Sequence, residues 1–247
     1  MARTYETPGW QQYVMQWDEP HRTLEPLEQE IAVVDGALQA LVEAGILPHQ
    51  RYDEARFLAH RAAVREQFDI PWTAITPRLQ RLMYAISAIH QPQVLVAVGV
   101  FCGNTFFSNA GAGAGPGAVY TPKRLVGIEI RPDEAARAAR NVARVDREGR
   151  AEVIAADGIP WLQDCRDTID LLYLDADGNK GQGKEIYLEL LEAAGHCLRP
   201  GSLILAHNSV NCAADLPRYL ATVRDPARFR ESVNVVIDDQ GLEVTQQ

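Results

Sequence analysis

The sequence predicts an α/β fold in which helices cover both faces of a mostly parallel sheet, preceded by a helical extension. From residue 94 onwards, short continuous apolar runs alternate with helical stretches, which is the pattern of buried parallel strands joined by crossover helices. Before residue 93, apolar residues recur only at helical spacing. We therefore divide the chain into an N-terminal helical extension or cap, residues 1–92, and a sheet-containing core, residues 93–247.

Three helices and no strand are predicted in the extension. In the first helix, apolar residues step by three and four from Leu24 to Leu41, and Gly45 marks its end. The second helix covers residues 53–67, with Asp53 as its candidate N-cap. The third covers residues 77–89, where apolar residues again share one face.

The core is predicted to contain seven strands. Five apolar runs indicate parallel strands at 94–98, 125–130, 151–155, 169–174 and 202–206. Two further β-like segments flank a polar turn and predict an antiparallel hairpin, at 233–237 and 242–245. Helices are predicted at 132–145, 159–166, 182–197 and 213–223. The Ala/Gly tract at 110–118 is interpreted as a flexible loop.

Composition makes several classes of protein improbable. The chain has 24 Lys and Arg against 33 Asp and Glu, a net charge of −9, which disfavours a nucleic-acid partner. No apolar run approaches the roughly 20 residues of a membrane helix, and the N-terminus lacks the apolar stretch of a signal peptide. We expect a soluble, cytoplasmic protein with no membrane partner. Its four cysteines lack zinc-like spacing and are expected to be free, mostly buried thiols.

The first strand of the core is followed by a glycine-containing turn, from Gly99 to Thr105. Ligands bind at the carboxyl ends of strands in such sheets, and glycines let the backbone turn tightly there. A dinucleotide-binding turn requires GxGxxG, but Phe101 occupies the second glycine position and Asn104 the third. The turn therefore disfavours a nicotinamide dinucleotide and suits a smaller, phosphate-free ligand.

Acidic residues follow the next two strands. An acid at the end of the second strand, here Glu129, can accept hydrogen bonds from both ribose hydroxyls of a nucleoside. The alternative for Glu129 is a solvated strand-end carboxylate. Asp157, after the third strand, can receive the amine of adenine, cap the following helix, or do both.

These motifs occur in one order with two others, and together they resemble a known family. The segment from about residue 70 to 247 resembles the class I S-adenosylmethionine-dependent O-methyltransferases, nearest to the catechol and caffeoyl-CoA O-methyltransferase group. The residues that carry the resemblance are Gly99–Gly103, Gly127–Pro132, Asp170–Asp177, Leu198–Gly201 with Ala206–Asn208, and Asp239–Glu243.

The resemblance implies a Rossmann-like, seven-stranded methyltransferase sheet whose last strand is antiparallel, a homodimer, and S-adenosyl-L-methionine as cofactor. It implies transfer of a methyl group to a hydroxyl of a small molecule, a phenol or a vicinal diol. Amine or carboxylate acceptors, and a cofactor-binding protein without catalysis, remain open. The implied cofactor-binding residues are Thr73, Gly99, Phe101, Gly103, Thr105, Glu129, Ile130, Asp157, Gly158 and Asp175.

The resemblance also implies a site for a divalent metal, at Asp175, His207 and Asn208. The family has an aspartate where this chain has His207, and a histidine favours a transition metal over Mg²⁺. In the first hypothesis, therefore, the site still binds a metal but prefers a different one. The second abandons the metal and makes His207 a general base. A third interpretation leaves His207 hydrogen-bonded to a loop carbonyl.

Further candidates surround this site. The family lysine corresponds most nearly to Lys180, either a base for the substrate hydroxyl or a solvated loop lysine, so the catalytic candidates are His207, Lys180 and Asp175. The chain has Ala97 where the family often has a glutamate, so the methionine ammonium needs another acceptor. Four aromatic residues of the extension either cover an acceptor or pack the helices, and packing is favoured for Tyr13; they are Trp10, Tyr13, Trp17 and Trp72.

Overall fold

The computed structural model describes residues 3–179 and 181–247. The strands of this described part are β1 (Arg3–Glu6), β2 (Val94–Val98), β3 (Arg124–Glu129), β4 (Ala151–Ala155), β5 (Leu171–Leu174), β6 (Leu203–His207), β7 (Glu231–Val236) and β8 (Leu242–Gln246). They form one sheet in the order β1-β7-β8-β6-β5-β2-β3-β4. All neighbours are parallel except β8, which runs antiparallel to both β6 and β7. The predicted parallel sheet, its antiparallel last strand and the terminal hairpin are confirmed.

The sheet has one strand more than the seven predicted, because the extension contributes β1. This strand pairs in parallel with β7, from Arg3 opposite Val233 to Glu6 opposite Val236. Its sequence, Arg-Thr-Tyr-Glu, is short, polar and mostly exposed. The expectation of no strand before residue 90 is therefore wrong. A strand of this kind forms by pairing with the free edge of its neighbour, and its sequence shows no apolar pattern from which it could be predicted.

Helices cover both faces of the sheet as predicted. They are α1 (Leu27–Glu43), α2 (Glu54–Gln67), α3 (Pro77–His90), α4 (Asn104–Ala110), α5 (Pro132–Val145), α6 (Gly158–Asp164), α7 (Ile186–Ala194) and α8 (Pro217–Val223). The predicted cap of α2 is confirmed, since the Asp53 side chain accepts a hydrogen bond from the N–H of Arg56 (3.0 Å). In the part of the chain described here, no helix is long and apolar enough to cross a membrane.

Alternate residues of β2 point into two different apolar cores, as the side-chain period of a strand requires. Leu95 and Ala97 lie in a core that contains α1, α3, α4 and α5. Val94, Val96 and Val98 lie in a second core with α6, α7 and α8. Helices α1 and α3 thus share a core with the sheet, while the division at residues 92 and 93 stays a prediction.

The Ala/Gly tract is a packed segment and not the flexible loop predicted. Most of residues 110–118 are buried, and the tract packs against α2. A Cβ on Gly111 would collide with the His60 ring, and a Cβ on Gly117 would collide with the His60 Cβ. Small residues occur here because only they admit the α2 side chains. The short helix α4, all of whose residues are buried, precedes the tract and was not predicted.

Candidate functional site

A cavity of about 570 Å³ opens at the carboxyl edge of the sheet. Its walls come from the segments that follow β2, β3, β4, β5 and β6, together with residues 72–75 and Trp17 of the extension. The cavity therefore lies where the sequence predicts a ligand in a parallel sheet. The predicted cofactor residues that line it are Thr73, Gly99, Phe101, Thr105, Glu129, Ile130, Asp157, Gly158 and Asp175.

The turn after β2 is shaped by two glycines with left-handed backbones. At Gly99 (φ +82°), a Cβ would collide with the backbone of Asp175 and Ala176, so glycine lets the turn lie against the segment after β5. Gly103 (φ +89°) faces α5, where a Cβ would meet Ala138 at 3.2 Å. Contrary to the prediction, Gly103 does not line the cavity. It serves the close approach of α5 to the turn instead.

Glu129 ties the turn after β2 to the end of β3. It is 4% exposed, and its Oε2 accepts a hydrogen bond from the N–H of Phe101 (2.8 Å). Its Oε1 accepts from the N–H and the Nε of Arg131 (3.1 and 3.2 Å). Each carboxylate oxygen can accept more than one hydrogen bond, so Oε2 retains capacity toward the cavity. This position suits recognition of the hydroxyls of a ribose.

The predicted residues around the end of β4 also lie at the cavity. Asp157 both lines it and caps α6, since its Oδ1 accepts from the N–H of Ile159 (3.0 Å). Both interpretations of Asp157 are therefore compatible with its position. Ile130 is 62% exposed and offers an apolar surface at the mouth of the cavity. Ala97 is buried in the sheet and lies outside the lining.

Three ionisable side chains meet at the other end of the cavity. The Asp175 Oδ1 atom is 3.1 Å from the Nδ1 of His207 and 3.1 Å from the Nζ of Lys184. Lys184 Nζ also donates to the Asp175 carbonyl (3.1 Å) and lies 3.3 Å from the Asp177 Oδ1. The Tyr173 hydroxyl donates to the Asp175 Oδ2 (3.3 Å). Lys184 and His207 are buried, so their contacts with Asp175 are shielded from water.

The charges in this cluster stabilise one another. Burial disfavours the Asp175 carboxylate, but Lys184 and His207 outweigh burial and hold the pKa of Asp175 below its ordinary value. Burial likewise disfavours the Lys184 ammonium, but Asp175 and Asp177 outweigh it and raise the pKa of Lys184. At neutral pH the cluster therefore contains a carboxylate and an ammonium. A carboxylate beside Nδ1 favours the imidazole tautomer that carries its proton on Nδ1, which leaves Nε2 free to accept one.

The predicted metal ligands Asp175, His207 and Asn208 do not fit a divalent cation. The Lys184 ammonium and the His207 ring both contact the same oxygen of Asp175, the Oδ1. A cation on that oxygen would lie against the ammonium and be repelled by it. Throughout residues 3–179 and 181–247, no group of three or more His, Cys, Asp or Glu could hold a metal ion.

Lys184 is the site residue that the sequence analysis missed, whereas Lys180 lies outside the described residues. The position of Lys184 in the sequence could have indicated that it contacts carboxylates. Lys184 falls near the start of the helix predicted at 182–197, where the helix dipole disfavours a cation. A lysine there is stabilised when carboxylates lie within reach, and Asp175 and Asp177 precede it in the adjoining loop.

Aromatic residues of the extension form one side of the cavity mouth. The Trp17 and Trp72 rings stack with centroids 5.7 Å apart and remain about half exposed, and the Trp72 ring lies 4.7 Å from that of Phe101. Tyr13 is buried beneath the Arg78 guanidinium, 3.7 Å from its ring centroid, which confirms the packing role favoured for it. Trp10 is not part of the lining.

The four cysteines are free, and three of them are buried. Cys102 lies within the turn after β2 and lines the cavity. Burial raises the pKa of the Cys102 thiol to about 11, so it stays protonated at neutral pH. This agrees with the expectation of free, mostly buried thiols.

Comparison with known proteins agrees with this geometry. A family model described as a methyltransferase domain matches residues 96–209. An O-methyltransferase from Bacillus cereus in complex with S-adenosylhomocysteine is 17% identical with a TM-score of 0.56, over 88% of this chain and 100% of that one.

Two further solved structures are similar. The O-methyltransferase TomG from Streptomyces achromogenes, involved in tomaymycin synthesis and bound to S-adenosylmethionine, is 21% identical with a TM-score of 0.55, over 79% of this chain and 90% of that one. The S-adenosylhomocysteine-bound methyltransferase PaMTH1 from Podospora anserina is 18% identical with a TM-score of 0.57, over 92% and 99%. At such identities the likeness establishes the fold. Residues 96–209 therefore match a methyltransferase domain, and the chain has the fold of these O-methyltransferases, as the resemblance in its sequence implied.

Proposed function

We propose that the protein transfers the methyl group of S-adenosylmethionine to a hydroxyl of a small aromatic molecule. The observation that carries this proposal is the continuity of the cavity. It joins a nucleoside-binding end, marked by Glu129, to a cluster of ionisable groups at Asp175, Lys184 and His207. Methyl transfer needs these two functions side by side, because the donor carbon and the acceptor oxygen must lie in contact.

The cofactor end of the cavity fits S-adenosylmethionine. Glu129 provides a buried carboxylate for the ribose hydroxyls, and the exposed surface of Ile130 suits the adenine. Gly99 lines the cavity, and its missing side chain lets the turn after β2 lie against Asp175 and Ala176, beside the space proposed for the methionine part. When bound, the cofactor supplies a sulfonium-activated methyl group.

The mouth of the cavity supports an aromatic acceptor. The stacked rings of Trp17 and Trp72 expose large flat surfaces next to Phe101. Planar acceptors gain from offset stacking as well as from the burial of apolar area. A phenol, or an aromatic vicinal diol, would be held with its hydroxyl toward the ionisable cluster.

The chain's own residues supply the proton transfer. The Nε2 of His207 is buried without a partner in the described structure, while Nδ1 is held by Asp175. As the oxygen–methyl bond forms and the carbon–sulfur bond breaks, the hydroxyl proton passes to Nε2. Asp175 orients the imidazole and stabilises its protonated form, the arrangement of an acid–histidine pair. The products are a methyl ether, S-adenosylhomocysteine and a proton that His207 returns to water.

We further propose that this reaction needs no divalent metal. In the family, the cation lowers the pKa of the acceptor hydroxyl and orients it. Here the Lys184 ammonium is positioned to provide a fixed positive charge beside Asp175. Turnover should therefore be unaffected by EDTA and should not rise on addition of Mg²⁺ or Mn²⁺. A rate that falls with EDTA and returns with a metal would overturn this part of the proposal.

Two measurements test the activity itself. Titration calorimetry with S-adenosylhomocysteine should show binding, and its absence at high micromolar concentration would end the proposal. Mass spectrometry of reactions with a panel of phenols and catechols should show a single added methyl group on oxygen. A methyl group on nitrogen or on a carboxylate would overturn the choice of acceptor.

The role of His207 is tested by replacing it with glutamine, which keeps a polar side chain but cannot accept a proton. General-base catalysis typically contributes about 10²- to 10⁴-fold, so turnover of His207→Gln should fall by that order while S-adenosylhomocysteine binding persists. His49→Gln changes an exposed histidine and serves as the matched control. Equal turnover in the two variants would exclude His207 as the base.

A further inference from the structure

Tyr173 is a residue of β5 that the proposed mechanism does not use. Its side chain is fully buried and is not part of the cavity lining, so it does not touch a ligand there. Its hydroxyl nevertheless donates a hydrogen bond to the Asp175 Oδ2 atom (3.3 Å). Tyr173 thus reaches the ionisable cluster from inside the core of the protein.

The register of the sheet explains how a large side chain fits at this position. Tyr173 pairs with Ala97 of β2 and with Leu205 of β6, and all three residues lie in the core that contains α1, α3, α4 and α5. Ala97 stands where the family often has a glutamate. Its small side chain takes up little of the space beside the tyrosine ring, so the ring can extend along the sheet toward Asp175.

The hydrogen bond between Tyr173 and Asp175 has a fixed direction. Burial and the Asp175 carboxylate raise the pKa of Tyr173 well above its ordinary value, and they outweigh the opposite effect of the Thr105 hydroxyl. The tyrosine therefore stays protonated at neutral pH. The pKa of Asp175 is held below its ordinary value, so its ionised carboxylate can only accept.

Three donors around the Asp175 carboxylate are divided between its two oxygens. Oδ1 contacts the His207 Nδ1 and the Lys184 Nζ (both 3.1 Å), whereas Oδ2 accepts from Tyr173. Contacts at both oxygens fix the plane of the carboxylate. Contacts at Oδ1 alone would let the carboxylate rock about that atom, and the Lys184 ammonium could then bridge both oxygens at the expense of His207.

We infer that Tyr173 is a positioning residue, whose hydroxyl holds the Asp175 carboxylate in the orientation that binds the Nδ1 of His207. This inference rests on the proposed function, in which His207 is the base. An imidazole kept in one orientation and one tautomer accepts the hydroxyl proton efficiently, and a loosely held one does not. Loss of the Tyr173 hydroxyl should therefore slow proton transfer without weakening the binding of ligands.

Proton NMR of the protein without ligands tests the inference. An Nδ1–H that is held by a carboxylate and shielded from water gives a far-downfield signal, which the unaltered protein should show and His207→Gln should lack. Tyr173→Phe removes only the hydroxyl and should broaden or abolish this signal. Tyr219→Phe is the matched control, because it removes a buried tyrosine hydroxyl that has no hydrogen-bond partner in the described part of the chain, and it should keep the signal.

Two results of this comparison would overturn the inference. One is a signal that is the same in Tyr173→Phe as in the unaltered protein. The other is the absence of the signal from the unaltered protein, since Asp175 and His207 would then form no ordered hydrogen bond. Melting temperatures of both tyrosine variants show whether a lost signal reflects the contact or a loss of folding.

Steady-state kinetics provide a second readout, with the phenol or catechol that the product assay identifies as a substrate. Tyr173→Phe should lower kcat about tenfold, the order of one hydrogen bond to a charged group. The acceptor KM and the affinity for S-adenosylhomocysteine should stay unchanged, because Tyr173 is outside the cavity lining. In a His207→Gln background the same substitution should have no further effect. An equal fall in both backgrounds would show a general structural role and overturn the inference.

Fluorotyrosine in place of every tyrosine covers the case in which Tyr173→Phe does not fold. Its hydroxyl is a stronger donor on a ring of nearly the same shape. At Tyr173 it should draw charge from the Asp175 carboxylate and shift the His207 signal upfield, because hydrogen bonds that share a group polarise one another. An unshifted signal would contradict the inference.

The two readouts separate this inference from the proposed function, since the NMR comparison needs neither cofactor nor acceptor. Full turnover of His207→Gln, together with loss of the signal in Tyr173→Phe, would refute the base and leave the positioning of His207 by Tyr173 intact. Reduced turnover of His207→Gln with an unchanged signal in Tyr173→Phe would refute the role of Tyr173 alone.

Discussion

Glu129 is the residue on which cofactor affinity should depend most directly. Its carboxylate accepts the N–H of Phe101 and keeps capacity toward the cavity. A hydrogen bond to a charged group contributes about 1.5–3 kcal/mol, more than a neutral one. We therefore expect Glu129→Gln to weaken binding of S-adenosylhomocysteine roughly tenfold to a hundredfold, measured by calorimetry.

The control for this prediction is Glu66→Gln, which removes the same charge from the exposed surface of α2. Its affinity should equal that of the unaltered protein. Because Glu129 also holds the turn after β2, the melting temperature of both variants should be measured without ligand. Unchanged affinity in Glu129→Gln would show that the ribose hydroxyls bind elsewhere.

Residues that directly follow a predicted strand could be assigned to the carboxyl edge of the sheet from the sequence alone. Asp175 lies at the carboxyl edge because β5 ends immediately before it. Lys184 and Gln240 could not be placed in this way, because loops bring them back to the site. Gln240 was in principle within reach, since β7 runs parallel to β6 and its following turn must lie at the same edge.

At the scale of elements, the contact between α2 and the Ala/Gly tract depends on missing side chains. Gly111 has an ordinary backbone conformation, so alanine there is resisted by the His60 ring and not by φ. Overpacking of this kind costs about 1–3 kcal/mol, and Gly111→Ala should lose that much unfolding free energy in urea titrations. Gly195→Ala, where nothing lies within 4 Å of the added Cβ, should be neutral or slightly stabilising. Equal stability of the two variants would contradict the close contact.

Helix α2 also predicts that the stability of the protein depends on pH, because it contains the buried residue His60. Burial, together with Arg61, lowers the pKa of His60 from 6.5 to about 3. Between these values the folded protein keeps His60 neutral while the unfolded chain protonates it, so stability falls as the pH falls below 6.5. His60 should contribute a loss of up to about 1.4 kcal/mol per pH unit.

Unfolding free energies of His60→Gln and the unaltered protein, measured from neutral pH to moderately acidic pH, check this dependence. The difference between the two proteins should change with pH only below the ordinary pKa of histidine. His49→Gln, at an exposed histidine, should follow the unaltered protein throughout. A pH-independent difference for His60→Gln would mean that His60 protonates in the folded state.

Elements with a strong apolar pattern were predictable, and those ordered by their neighbours were not. Helix α5 has the predicted bounds, Pro132–Val145, because its apolar and charged faces are well separated. Strand β1 is polar and depends on the edge of β7. Helix α4 is buried on all sides, so its sequence contains no amphipathic period from which a helix could be predicted.

At the scale of the whole molecule, the extension and the sheet are joined in two ways. Helices α1 and α3 pack into the same apolar core as β2, β5, β6, β7 and β8. In addition, strand β1 of the extension pairs in parallel with β7 at the edge of the sheet. The division at residue 92 was drawn from a change in the sequence pattern. In the structure, one apolar core contains residues from both sides of that division.

This continuity predicts that the extension and the sheet unfold together. The chain has four tryptophans, of which Trp10, Trp17 and Trp72 lie in the extension and Trp161 lies in α6. In Trp161→Phe, fluorescence therefore reports on the extension alone, while far-ultraviolet circular dichroism reports on all helices and strands. Because separation would expose the shared core to water, urea titrations by the two methods should give coincident midpoints, as expected for one cooperative unit. A fluorescence transition at lower urea than the dichroism transition would instead show that residues 1–92 unfold as a separate domain.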